Sequence, residues 1–114
     1  MLHCHRNRTG AVKLQEELSP AESLVVAGDL TKEAAVKKLF AQAVKRFGCV
    51  DTLVANAGWW ETRSVPFHEV SLKQWRRTID GVLTSAFLCT REFFRLVVKQ
   101  KQGNAVLIGS TAAV

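Results

Sequence analysis

Four short apolar runs recur along the chain: Met1 to Cys4, Ser23 to Ala27, Thr52 to Ala55 and Ala105 to Ile108. Runs of this length with little alternation predict strands covered on both faces, as in a parallel sheet. Between them the period changes. Residues 11–18 place Val12, Leu14 and Leu18 among Lys13, Gln15, Glu16 and Glu17, which predicts a short helix. Ser19-Pro20-Ala21-Glu22 has a capping-box pattern, but the strand-like run that follows at once makes it a loop. Residues 32–47 give the clearest helix, with Val36, Leu39, Phe40, Ala43, Val44 and Phe47 at helical spacing and lysines mostly opposite. Thr31 suits its cap and Gly48 its stop. After a long loop, 59–70, Ser71 and Gln74 form a capping box for a helix over 71–102. Its apolar stripe runs Ile79, Val82, Leu83, Ala86, Phe87, Thr90, Phe93, Phe94, Val97, and Gly103 stops it. Strands alternating with helices imply parallel pairing with right-handed crossovers. The expected fold is α/β, a partial doubly wound parallel sheet with helices on both faces, in one domain over residues 1–114.

Composition narrows the classes. At 47% hydrophobic and 23% charged the chain is not a disordered one. No apolar run approaches the roughly 20 residues of a membrane span, and the first residues lack the apolar stretch of a secretory signal. The net charge of +6 is spread over every segment, with no more than two basic residues in succession. That pattern fits solvated helix faces and an anionic small ligand better than a nucleic acid. Cys4, Cys49 and Cys89 are an odd number without metal-like spacing, which reads as free thiols in a reducing, cytoplasmic setting.

The strand ends carry the candidate chemistry: Gly28-Asp29-Leu30, Asn56-Ala57-Gly58 and Gly109-Ser110. In a doubly wound sheet, ligands bind outside the carboxyl ends of the strands. Gly58 lets backbone approach a ligand closely, and the Asn56 amide can pin neighbouring backbone with both a donor and an acceptor. Each motif has a plain reading as well: Asp29 as a cap of the next helix, Asn-Ala-Gly as a turn.

In their order and spacing these motifs resemble the short-chain dehydrogenase/reductase family, from the second strand of its Rossmann fold to the fifth. The resemblance implies that Asp29 bonds the adenine amino group, that the Leu30 backbone contacts the ring, and that Asn56, Ala57 and Gly58 lie beside the adenine-side ribose. It implies that Ser110 hydrogen-bonds the substrate carbonyl or alcohol oxygen as hydride moves. His5-Arg6-Asn7-Arg8, with no acid before Glu16, replaces the acid that would hold the ribose hydroxyls of NAD. Arg6, with Arg8 beside it, then suits the 2′-phosphate of NADP, although an exposed charged loop would look the same. Within the family the chain looks more like the 3-oxoacyl-carrier-protein reductases and their dehydrogenase relatives. The implied substrate is a small carbonyl or secondary alcohol.

The departures are specific. The family's Gly-rich turn after the first strand is missing, and the sequence contains no tyrosine for the Tyr-x-x-x-Lys pair. Val82 stands where the family often has an asparagine supporting a proton-relay water. The expectation is an incomplete, fragmentary domain, marginal and inactive alone, belonging to an enzyme that works as a homo-oligomer packed through the long helix. The alternative is a non-catalytic truncated form that binds a full-length relative through that helix; a flavodoxin-like domain would account for the alternation only. Trp59 and Trp60 either shape a pocket for a flat substrate or cover neighbouring apolar surface.

Overall fold

The computed structural model describes residues 1–59, 61–62 and 64–110. Among the described residues four strands and four α-helices alternate along the chain, the expected third helix being present as two: β1 (Leu2–Cys4), α1 (Arg8–Glu17), β2 (Val25–Ala27), α2 (Glu33–Phe47), β3 (Thr52–Ala55), α3 (Leu72–Ile79), α4 (Ser85–Gln100) and β4 (Asn104–Leu107). All pairing is parallel, β1 with β2 and β3 with β4. The strands make two separate two-stranded sheets, however, and not one continuous sheet.

Val25 and Val26 are consecutive and both buried, so β2 is covered on both faces. Val26 joins a core with Val36, Leu39 and Phe40 of α2 and Leu88, Cys89 and Phe93 of α4. Val25 lies outside that cluster, and α1 packs on β1 and β2. The sheet of β3 and β4 turns Leu53 and Ala105 toward the same core, while Val54, Val106 and Ile108 stay exposed.

Local chemistry sets the boundaries. The Asn7 side chain accepts from the Gly10 N–H at 3.1 Å, so α1 starts at Arg8, earlier than the apolar spacing suggests. Gly48 ends α2 at φ 82°, its N–H donating to the Val44 carbonyl at 2.8 Å. Thr31 does not cap α2: Lys32 holds the cap position without a side-chain bond, and Thr31 is engaged with Asp29. The capping box of Ser71 and Gln74 is present in both directions.

The long helix departs from expectation in two ways. It is interrupted by a π-helical turn over Asp80–Thr84, and it ends at Lys101 in the left-handed conformation, not at Gly103. Its apolar stripe is also divided. Leu88, Cys89 and Phe93 are buried, whereas Leu83, Phe87, Phe94 and Val98 lie exposed.

Candidate functional site

Within each parallel pair the strands finish at the same edge, which gathers the residues after β1 with those after β2 and the residues after β3 with those after β4. Between the two sheets lies a cavity of about 650 Å³. Met1 with Leu2 and His3 of β1, and Thr52 to Ala55 of β3, form its sides, and α2 and α4 form its floor through Leu39, Phe40, Ala43, Ser85 and Cys89. The chain runs from β1 outward to β2, then crosses to β3 and on to β4. The cavity is therefore the point where strand order reverses, the usual position of a ligand crevice.

Leu30, Asn56 and Ala57 all line this cavity at its strand-end side. Residues separated by 26 positions and held on different sheets thus share one rim. Arg6, Asp29, Gly58 and Ser110 are not among its lining residues.

Asp29 is the best-built member of the set. The Thr31 N–H and hydroxyl both donate to Asp29 Oδ1, at 3.0 and 2.7 Å, and the Lys32 N–H donates to the Asp29 carbonyl at 3.1 Å. The turn fixes the carboxylate and, through the Thr31 hydroxyl first and its N–H second, holds the carboxyl below its ordinary pKa. Oδ2 makes none of the described hydrogen bonds. Behind this turn the His3 ring donates from Nε2 to the Gly28 carbonyl at 2.9 Å, tying β1 to the end of β2. In the sequence His3 carries no signal beyond a ring-bearing residue inside an apolar run.

The second sheet's strand end is more open. Asn56 is exposed and enters none of the described hydrogen bonds, so the expected pinning of neighbouring backbone is not seen. A Cβ on Gly58 or Gly109 would meet no atom within 4 Å, which leaves room for a ligand against the backbone. Ser110 is exposed beyond β4. Arg6 is exposed and enters none of the described ion pairs. Arg8 sits in the first turn of α1.

Beside the rim, Trp59 is docked on the long helix. Its ring lies 3.8 Å beneath the Arg77 guanidinium, and its Cβ would be 2.9 Å from any Cβ placed on Gly81. Trp59 therefore covers the helix, one of the two readings of the tryptophan pair; Trp60 lies outside the described residues. Gly81 belongs to the π turn, whose altered bonding is completed by the Ser85 hydroxyl donating to the Gly81 carbonyl at 2.8 Å. Val82, on the same turn, is exposed. Among the described residues no three histidine, cysteine or acidic side chains cluster as metal ligands, and no helix is long and apolar enough to cross a membrane.

Comparison with known proteins agrees with this fold. A family profile described as short chain dehydrogenase matches residues 1–114. The chain is 35% identical over 113 residues to the uncharacterized oxidoreductase YuxG of Bacillus subtilis, covering 95% of this chain and 16% of that protein. It is 33% identical over 93 residues to a 3-oxoacyl-[acyl-carrier-protein] reductase of Synechocystis, covering 82% of this chain and 37% of that one. Among solved structures, one described as a 3-oxoacyl-reductase of Bacillus thuringiensis superposes with a TM-score of 0.87 at 25% identity, over 97% of this chain and 47% of its own. A serine dehydrogenase in complex with NADP+ superposes at 0.81 with 23% identity, over 97% and 44%, a likeness of fold. The chain spans less than half the length of each of these relatives.

Proposed function

The chain belongs to the short-chain dehydrogenase family, and on that premise we propose that it serves an oxidoreductase moving hydride between NADP(H) and a carbonyl or secondary alcohol. The observation that carries the proposal is the meeting of Leu30 with Asn56 and Ala57 on one rim at the reversal of strand order.

The residues present fit the adenosine half of a dinucleotide. The fixed, ionised Asp29 would accept from the adenine amino group, and the Leu30 backbone would contact the ring. Asn56, Ala57 and Gly58 provide the small, open backbone beside the ribose. Arg6 supplies the cation for a 2′-phosphate, an arrangement favouring NADP over NAD. When bound, the nicotinamide gives or takes the hydride. Ser110 would hold the substrate oxygen by a hydrogen bond that strengthens as charge develops there. The sequence has no tyrosine to exchange the proton, so residues 1–114 by themselves are an incomplete Rossmann domain without turnover. The three thiols are free, in keeping with a reducing, cytoplasmic setting.

The long helix supports the reading of a homo-oligomer. Leu83, Phe87, Phe94 and Val98 share one exposed side, and Phe94 remains half-exposed although its ring packs edge-on against Phe93. A second reading, a non-catalytic chain that joins a full-length relative, rests on the same side and on Val82. Titration calorimetry with 2′,5′-ADP and 5′-AMP tests the cofactor assignment. The first should bind about tenfold more tightly, a preference lost in Arg6→Ala. Equal binding of the two nucleotides overturns the NADP assignment, and NADPH oxidation by residues 1–114 alone overturns the inactive reading.

A further inference from the structure

β2 has β1 along one side, and its other side borders a second cavity of about 370 Å³. The pairing to β1 fixes which backbone groups face that cavity. The Leu2 N–H donates to the Leu24 carbonyl at 2.8 Å, and the Gly28 N–H to the Cys4 carbonyl at 3.0 Å. Leu24, Val26 and Gly28 therefore turn their backbone groups to β1, and by alternation Ser23, Val25 and Ala27 turn theirs outward. The Ser23 carbonyl is met by the Gln15 side chain, whose Nε2 donates to it at 2.9 Å. The N–H and carbonyl groups of Val25 and Ala27 enter none of the described hydrogen bonds, although Val25 is buried. Donors and acceptors that alternate along an edge are what an extended polypeptide satisfies.

Charge marks the same place. Besides Val25 to Ala27 the cavity is lined by Arg8 of α1 and by Lys38 and Gln42 of α2, and no acidic residue lines it. α1 packs on β2 from one face, and α2 packs on Val26 from the other. A cation thus stands on each face of the open edge. Neither Arg8 nor Lys38 enters a described ion pair. Cations beside an edge keep out neutral and basic strands, whose arrival would leave the charges covered and unpaired. They favour a strand that brings acids on both of its faces.

We infer that the outer edge of β2 is a docking site for an extended acidic segment of a partner protein, which adds beside β2 as a strand and pairs its acids with Arg8 and Lys38. A second copy is a poor source, because β1 to β4 contain no Asp or Glu. A nucleic acid would meet the cations and leave the backbone edge unbonded. Arg6, the cation assigned to the 2′-phosphate, is not among the lining residues, so this site stands apart from the cofactor assignment.

The test uses the full 114-residue chain and a labelled peptide of repeated Val-Glu-Glu units, which when extended carries acids on both faces. Fluorescence anisotropy should show saturable binding. Hydrogen exchange of the Val25 and Ala27 amides should slow about tenfold in the complex, while that of Val26, already turned to β1, changes little. A peptide with Gln in place of every Glu should bind about tenfold more weakly, and so should the acidic peptide N-methylated at alternate amides. Lys38→Glu should weaken the acidic peptide about as much, and Lys38→Arg should leave its binding unchanged. Equal binding of the acidic and Gln peptides overturns the inference, as does binding without protection of those two amides. Oligothymidylate that binds as tightly as the peptide makes the cations a general anion surface and overturns it too. Self-association of the chain alone that protects the same amides overturns the choice of occupant. If Lys38→Glu does not fold, the set of peptides on the unaltered chain still decides.

Discussion

The two sheets are built from similar strands and end up in different surroundings. β2 buries Val25 on one face and Val26 on the other, between α1 and the core of α2 and α4. β3 and β4 bury one face against α4 and leave Val54 58% and Val106 45% exposed. The strand ends follow suit. After β2, Asp29 is locked by Thr31, and His3 braces the strand behind it. After β3, Asn56 reaches no described partner. Hydrophobic strands position chemistry only as well as they are themselves covered, so the adenine side of the proposed site is preorganised and the other side is not.

The strongest way to break this contrast is at its pivot. Phe93 is 0% exposed and packs in the single core cluster that both sheets share. Phe93→Ala should cost about 3–5 kcal/mol, a large share of what a domain of this size has. Thermal unfolding followed by far-UV circular dichroism should show the cooperative transition lost or strongly lowered. Val106→Thr, on the open face of the second sheet, should stay within about 0.5 kcal/mol. If the two variants unfolded alike, the contrast between covered and open faces would be wrong.

A second change sharpens the picture where the open sheet joins the core. Gly103 stands before β4 at φ 156°, and a Cβ there would lie 2.5 Å from Val97 Cγ2 and 3.0 Å from Phe93 Cζ. Gly103→Ala must push both side chains and should cost about 1–3 kcal/mol in chemical denaturation. The loss should appear first as faster amide exchange in β4, with β2 protected as before. Uniform loss across both sheets would mean that they do not open separately.

Much of this was legible beforehand, for identifiable reasons. Four apolar runs and one amphipathic helix located the strands and α2, although the covering on both faces expected of all four runs holds for β2 and not for β3 and β4, whose Val54 and Val106 are exposed. Asp29 and the Asn56–Gly58 turn stood out only through their joint order and spacing, because each alone reads equally well as a helix cap or a plain turn. The π turn was invisible: an extra residue in a turn changes the phase of a helix and not its composition. The stripe drawn through Val82, Leu83 and Phe87 therefore missed Leu88 and Cys89, which the core took instead. The division of the sheet was also hidden, since pattern tells which faces are buried and not which edges meet.

The smallest effect concerns what ties the helices of the covered half together. Glu33 at the start of α2 pairs with Lys37 one turn on at 2.8 Å and with Arg91 of α4 at 3.0 Å. Lys37 first and then Arg91 draw its carboxyl from an ordinary 4.5 down to about 2. A carboxyl depressed on folding contributes stability that is full above its unfolded pKa and is lost as pH falls through its folded one. Glu33→Gln should therefore lower the unfolding temperature slightly at neutral pH. The difference should shrink between about pH 4.5 and 2 and also in high salt, because both partners reach solvent. A difference that persisted at pH 2 would mean that Glu33 holds α2 to α4 by packing, and the covered half would then owe its closure to apolar contact alone.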